Sequence, residues 1–396
     1  MPNIEASLIE KKEYSAGKPE TVAELITKQD ELEKLAKKLE GETCLAVDTE
    51  SNSLHAYQER VCLIQFSTQQ TDYLVDPIML QDLSPLQPLF ADPGIEKVFH
   101  AAEYDVLCMK RDYGFEFAGV FDTMIAARIL GREEIGLAAM LEQAFNVQLD
   151  KHGQRADWGK RPIPAELLDY ARLDTHYLIP LRDRLWEELE EKGLLELANE
   201  DFRRVCAVQA NENGRGNGES RTVDPFRIRG AHDLSPRQAA VLQELCRYRD
   251  KAAREMDRPL FKVINDHVLI NIAIRKPHSL EELRKIPGMS PTQTRRHGRQ
   301  LLEAVQAGLK APLLYPKQPK RLDRAVLHRL EALRDWRKKT AGKMGVPSDV
   351  VLPRDLMMTL VQEQPHNLHE LREIMLFYPW RYEHFREPIL KAMENC

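Results

Sequence analysis

Four short runs in the first hundred residues, CLAVDTE, VCLIQFS, DYLVD and KVFH, are largely apolar and are set apart by polar stretches. Such runs predict strands, and the polar spacer STQQT between the second and third predicts a hairpin. Thr21 followed by Glu24 predicts a capping-box start for the helix TVAELITKQDELEKLAKKLE, which Gly41 would stop. Helical stretches are expected from about Ala102, Asp122 and Leu137, and again after Pro164 and Glu166. Pro180 predicts a break in that last helix near Leu178. Strands first and helices covering both faces predict an α/β domain, a mixed sheet flanked by helices.

The pattern changes at ENGRGNGES, residues 212–220, which has three glycines and no apolar residue. That composition suits a flexible connector. Beyond it the strand signal disappears. YRDKAAREMDRP to KPHSLEELR, residues 248–284, aligns without gaps on WRKKTAGKMGVP to QPHNLHELR, residues 336–372, at an offset of 88. Arg249 pairs with Arg337, Pro259 with Pro347, and His278 with His366. Solenoid repeats run about 20 to 50 residues, so this offset predicts two tandem copies of an all-α domain. The expected organisation is an α/β domain over 1–211, a linker over 212–222, a first helical domain over 223–310, a Pro-rich linker over 311–320, and a second helical domain over 321–396.

Charge sharpens this division. The net charge of -5 hides 33 Lys and Arg against 21 Asp and Glu in residues 221–396, and 24 against 41 in residues 1–220. A basic half of this kind suggests a polyanion partner, although exposed helices also carry Lys and Arg for solubility. The six cysteines are scattered, with no CxxC pair and no His at zinc-ligand spacing, which argues against structural zinc and against a disulfide framework. No run of about 18 apolar residues occurs and the N-terminus lacks an export-signal layout. The expectation is a cytoplasmic protein with reduced, buried thiols.

Candidate chemistry begins where the first strand run ends. In LAVDTES, Asp48 and Glu50 are two apart, so a strand presents both carboxylates on one face. In YARLDTHYL, Tyr170 and Asp174 are i and i+4 and share a helix face. Asp105 follows KVFH at the start of a helix. If these four acids converge, their mutual repulsion is relieved by cations. Oxygen donors without His or Cys suit magnesium or manganese, and two such ions about 3.5 to 4 Å apart are a recurring arrangement for phosphoryl hydrolysis. Taken singly, Asp105 reads as a helix-start residue, and Glu50 and Asp174 as solvated surface.

In order and spacing these segments resemble the DEDD exonucleases, with Asp-x-Glu on the first strand, an Asp after the fourth strand, and Tyr-x-x-x-Asp, here Tyr170 to Asp174. Asp169 stands five before the last acid where a His would mark another branch, so the resemblance is to the tyrosine branch. VCLIQFS, KVFHAAEYD, FDTMIAARIL and DWGKRPIPAELLDYARLDTHYL are similar to the ribonuclease D family, and the repeated helical module resembles the HRDC domain. The likeness runs from about Leu25 to near the end. One departure is Glu103 in HAAEYD, where many members have a small residue; Glu103 is expected to face solvent.

The resemblance implies a ribonuclease H-like exonuclease domain whose Asp48, Glu50, Asp105 and Asp174 hold two divalent metal ions, Mg2+ or Mn2+. Tyr170 would orient the attacking water, because a phenol of pKa near 10 is a poor base at neutral pH. The implied reaction releases mononucleotides 3′→5′ from RNA, with transfer RNA precursors as substrate and a monomer as the acting form. Gln65 and His100 are candidate contacts to the terminal nucleotide, with packing or strand capping serving equally well for each, and Arg161 is a candidate contact to phosphate. Trp158 is read as core, and Asp122 as an N-cap rather than a ligand. The clusters RYRDKAAREMDR, RKPHS, RRHGRQ and RDWRKKTAGK suit phosphate-backbone contact, with the first copy contributing more. Two readings stay open: the same chemistry on DNA, and a catalytically idle RNA-binding scaffold, against which the complete acid set argues.

Overall fold

The structure, a computed structural model, describes residues 23–150, 152–209, 223–317 and 323–394. Thr21 and the connector 212–222 lie outside them, as does the end of the Pro-rich stretch. The N-terminal part holds a six-stranded mixed sheet, built from β1 (Glu24–Ile26), β2 (Cys44–Ser51), β3 (Val61–Ser67), β4 (Asp72–Val75), β5 (Glu96–Phe99) and β6 (Val120–Asp122), in the order β1-β4-β3-β2-β5-β6. β3 is antiparallel to both β2 and β4, while β1 pairs parallel with β4 and β5 parallel with β2 and β6. The four apolar runs are β2 to β5, and STQQT is the β3–β4 hairpin, with Thr68 N–H donating to the Thr71 carbonyl at 2.9 Å.

One expectation is corrected at the N-terminal edge. The stretch predicted as a single helix from Thr21 splits into β1 and helix α1 (Gln29–Leu39). Tertiary pairing overrides the local cap, because Leu25 and Ile26 extend the sheet beside Leu74 and Val75. β6 was likewise too short to announce itself.

Alternation along β2 sorts the layers. Leu45 and Val47 pack with Ile64, Phe66 and Val75 against α1, α2 (Gln87–Ala91) and α3 (Glu103–Tyr113). Ala46 faces the other way with Val98 and Phe121. That face is covered by α4 (Thr123–Ile129), α5 (Leu137–Phe145), α6 (Ala165–His176), α7 (Leu178–Glu191) and α8 (Leu195–Cys206). The expected break falls at Tyr177, and Pro180 lies in the first turn of α7, where its missing N–H is tolerated. Among the described residues Cys44, Cys62, Cys108, Cys206 and Cys246 are free thiols.

The remainder is helical and duplicated: α9 (Pro236–Glu255), α10 (Leu260–Val263), α11 (Asp266–Arg275), α12 (Leu280–Arg284) and α13 (Pro291–Lys310) are followed by α14 (Arg324–Met344), α15 (Ser348–Val351), α16 (Arg354–Glu363), α17 (Leu368–Ile374) and α18 (Pro379–Glu394). Aligned residues make the same bonds. Arg249 donates to the Ile264 carbonyl at 2.9 Å, and Arg337 to the Leu352 carbonyl at 3.0 Å. His278 N–H donates to Glu282, and His366 N–H to Glu370. The second copy is docked on α8 through Arg381, which has no exposed surface and meets Glu200 at 2.6 Å and Asp201 at 2.9 Å.

Candidate active site

Three elements supply the four acids. Asp48 and Glu50 stand on one face at the end of β2, opposite Gln65 and Leu63 of β3. Asp105 lies in the first turn of α3, where the helix dipole favours an anion, and it accepts a short hydrogen bond from the Thr49 hydroxyl between the two β2 acids. The turn before α3 is pinned by Asp122, whose carboxylate accepts from the N–H groups of Ala101 and Ala102 at 3.1 and 2.8 Å. The same carboxylate caps α4 by accepting from Met124 and Ile125, so its N-cap reading holds and a second role is added.

α6 brings Tyr170 and Asp174 over the sheet. Three polar contacts fix its height and rotation. Arg172 and His176 both meet Asp72 of β4, at 2.5 and 2.9 Å, and the Thr175 hydroxyl meets that of Ser67 at 2.7 Å. A cavity of about 770 Å³ opens beside Tyr170 and Asp174, lined also by His152, Gly153, Glu166 and Tyr177.

The acids sense one another. Burial pushes the Asp48 carboxyl well above its ordinary value, and Asp105, Asp174 and Glu50 add to that push. Glu50 is raised to about 9 by burial, then by Asp174 and Asp105. Asp174 is raised to about 7 by burial, against a hydrogen bond from Tyr170 that opposes the shift. Asp105 is also raised to about 7 by burial, opposed by its bond from Thr49. Burial and the neighbouring Asp174, Glu50 and Asp48 push the Tyr170 phenol further up, so it stays protonated and donates.

Among the described residues no group of three or more His, Cys, Asp or Glu side chains already forms a metal cage. The fit to a divalent cation rests on charge and donor type. All four carboxylates are raised by burial, and Asp48 and Glu50 further by their acidic neighbours, so the set calls for a positive partner, and hard oxygens suit Mg2+ or Mn2+.

The remaining candidates divide. His100 is half-buried after β5, and its Nδ1 lies 2.9 Å from the Thr123 hydroxyl. That hydroxyl donates to the Phe99 carbonyl, so Nδ1 carries a hydrogen and Nε2 keeps its lone pair. Desolvation lowers His100 to about 4. Gln65 is fully buried and neither atom of its amide has a hydrogen-bond partner among the described residues, which leaves it the polar group next to Asp48 with unused capacity. Arg161 is committed to structure. Its guanidinium clamps Asp76 at 2.5 and 2.7 Å and donates to the carbonyls of Cys62, Trp158 and Lys160, so no donor is left aimed at a nucleotide. Trp158 is core, at 1% exposure, and Glu103 is exposed as expected. Sequence reading missed Thr49, visible only as the residue between two acids, and Gly153, which packs on the Tyr170 ring.

Comparison with known proteins bears on the family and the fold. A 3′–5′ exonuclease family model matches residues 23–190, and the HRDC domain model matches 238–305 and 326–393. Ribonuclease D of Pseudomonas paraeruginosa is 28% identical over 361 residues, covering 89% of this chain and 92% of that protein. The crystal structure of Escherichia coli RNase D superposes with a TM-score of 0.67 at 28% identity, over 95% of this chain and 99% of that one. The catalytic core of RRP6 from Trypanosoma brucei is 30% identical with a TM-score of 0.65, covering 77% of this chain and 85% of that one. The chain spans about a third of the length of the full-length RRP6-like and exosome component 10 relatives that it matches. With the acids and the tyrosine on the expected strand and helices, the chain belongs to the ribonuclease D and RRP6 family of 3′–5′ exonucleases with HRDC domains.

Proposed function

We infer that this protein hydrolyses RNA from its 3′ end and releases 5′-mononucleotides, with Asp48, Glu50, Asp105 and Asp174 holding two divalent metal ions. The carrying observation is that acids from α3 and α6, Asp105 and Asp174, push up the pKa of Asp48 and Glu50 on β2, with Asp174 and Tyr170 on the wall of an open cavity. When bound, the metals supply charge neutralisation for the scissile phosphate and lower the pKa of water. Asp105 is held for ligation by Thr49 and by the Asp122-pinned turn. Tyr170 stays protonated; its single hydrogen, given to Asp174 without metal, would turn to the water once Asp174 ligates, so Tyr170 orients the water rather than taking its proton. His100, neutral with its Nε2 lone pair free of the Thr123 contact, and Gln65, with a spare amide, are the chain's candidates for meeting the terminal nucleotide.

A cavity of about 900 Å³ on the first helical module, lined by Arg247, Lys251, Arg254 and the exposed Tyr315, supports a role in holding the RNA body through phosphate contact and stacking. E. coli RNase D is described as involved in structured RNA processing. By that likeness we propose transfer RNA precursors as substrate for a monomeric enzyme in the cytoplasm. Among the described residues no helix is long and apolar enough to cross a membrane.

The test is incubation of 5′-labelled RNA and matched DNA with wild type and Asp48→Ala, with and without magnesium. A ladder shrinking from the 3′ end of RNA, absent in the variant and without metal, is expected. Equal activity of Asp48→Ala would refute the site, and preference for DNA would refute the substrate.

A further inference from the structure

The chain between Glu50 and β3 carries a contact that the exonuclease reading does not use. Asn52 closes the base of this loop, its side chain accepting from the Arg60 N–H at 2.9 Å and its carbonyl from the N–H groups of His55 and Ala56. From that base Tyr57 reaches the first helical module. Its backbone N–H donates to Asp257 at 3.0 Å, its hydroxyl donates to Asp250 at 2.8 Å, and the Arg254 guanidinium lies 5.6 Å from its ring centroid. Asp257 holds this pose with a φ of 45°, in the left-handed region that few non-glycine residues adopt.

His55, two residues earlier, faces the other way along the same chain of contacts. Its Nε2 lies 3.0 Å from the Arg155 carbonyl, and a carbonyl only accepts, so Nε2 carries the hydrogen. The Nδ1 lone pair is then free to accept from Lys262 Nζ of the module, at 3.2 Å, with the Asp157 carboxylate 3.6 Å from the same nitrogen. Arg155 and Asp157 belong to the segment against which Tyr170 rests. Gly153 packs so closely on that ring that a Cβ there would stand 2.2 Å from a ring carbon, and Trp158 has its ring centroid 6.2 Å from that of Tyr170. A continuous path therefore runs from Asp250, Asp257 and Lys262 through Tyr57 and His55 to the turn at 152–158, and ends on Tyr170.

We propose that the first helical module positions Tyr170 through Tyr57 and His55, so that it sets the rate of bond cleavage in addition to holding RNA. The proposal rests on the reading of Tyr170 as the group that orients the attacking water. Tyr57, His55 and Lys262 are positioning residues, since they act through the tyrosine and touch no reacting atom.

The experiment uses full-length protein carrying Tyr57→Ala, His55→Ala or Lys262→Ala, each also combined with Tyr170→Phe, assayed on a dinucleotide and on a 20-nucleotide RNA. Lys262 is exposed, so its substitution keeps the test available if Tyr57→Ala fails to fold. Small misplacements at a reacting centre are costly, so kcat on both substrates should fall about tenfold or more with KM for the longer RNA little changed. Lys262→Arg should restore activity, and the loop substitutions should cost nothing further in the Tyr170→Phe background. Wild-type kcat on the dinucleotide with only a raised KM for the longer RNA would overturn the proposal, as would a loss that multiplies with that of Tyr170→Phe. An inactive wild type would instead fail the exonuclease reading itself.

Discussion

At the scale of the residue, the site is a problem in charge. Asp105 and Asp174 at about 7 and Glu50 at about 9 bind protons in the folded, metal-free protein that the unfolded chain, with carboxylates near 4, has already released. These groups therefore stabilise the fold at low pH, and that contribution is lost as pH rises through their folded values. The melting temperature in EDTA should fall between about pH 5 and pH 9. Millimolar Mg2+ should abolish most of that fall, since metal binding displaces the protons. Asp48→Asn should raise the metal-free melting temperature at pH 8 while removing activity, and a metal-free profile that stays flat would contradict the cluster. Tyr170→Phe tests the other half of the site. Losing a group that only orients water should lower kcat by about 100-fold with Mg2+ affinity, read by calorimetry, unchanged. Collapse of metal affinity in that variant would assign Tyr170 a different role.

Among elements, α6 and α8 show how polar anchors decide placement. The i, i+4 spacing of Tyr170 and Asp174 fixes their shared face, but the grip of Arg172 and His176 on Asp72 fixes which part of the sheet they face. On α8, Glu200 and Asp201 are held by Arg381 of α18, with no exposed surface on Arg381 or on the Glu200 side chain. Burial raises Glu200 even against the pull of Arg381. Arg381→Met would leave Glu200 buried without a counter-charge, while Asp201 keeps Arg204 at 3.3 Å, at about 3 to 5 kcal/mol. The sign follows from the raised carboxyl: the penalty should grow as pH rises, and calorimetry at pH 5.5 and 8 measures it. A loss independent of pH would mean that packing alone is at stake. Much of this level was legible beforehand. β2 to β5, the hairpin and the repeat were all visible because their signals are periodic and local. β1 and β6 were not, since strands of three residues at sheet edges form through their partners rather than through propensity.

Over the whole molecule, the opposite charges of the two halves fit the proposed division of labour, an acidic part suited to cations and a basic part suited to phosphates. Neutralising Arg247 and Lys251 together should reduce the slope of log affinity against log salt by roughly 1.4 for single-stranded RNA, measured by fluorescence anisotropy. An unchanged slope would remove the cavity on the first module from the RNA path. Both helical modules dock on the exonuclease part, at separate places: the first on the loop after β2 and the second on α4 and α8.

The amino-acid order alone settled which side chains share a face, because a strand repeats every two residues and a helix every 3.6, and it settled that one helical domain occurs twice. It also pointed the proposed chemistry to carboxylates and one tyrosine. Only the tertiary structure decided which of the charged groups are free to act. Arg161 is spent on Asp76, 85 residues away, and Tyr57 finds Asp250 across 193 residues. Pairings over such separations depend on where whole elements come to rest, and no local pattern encodes that.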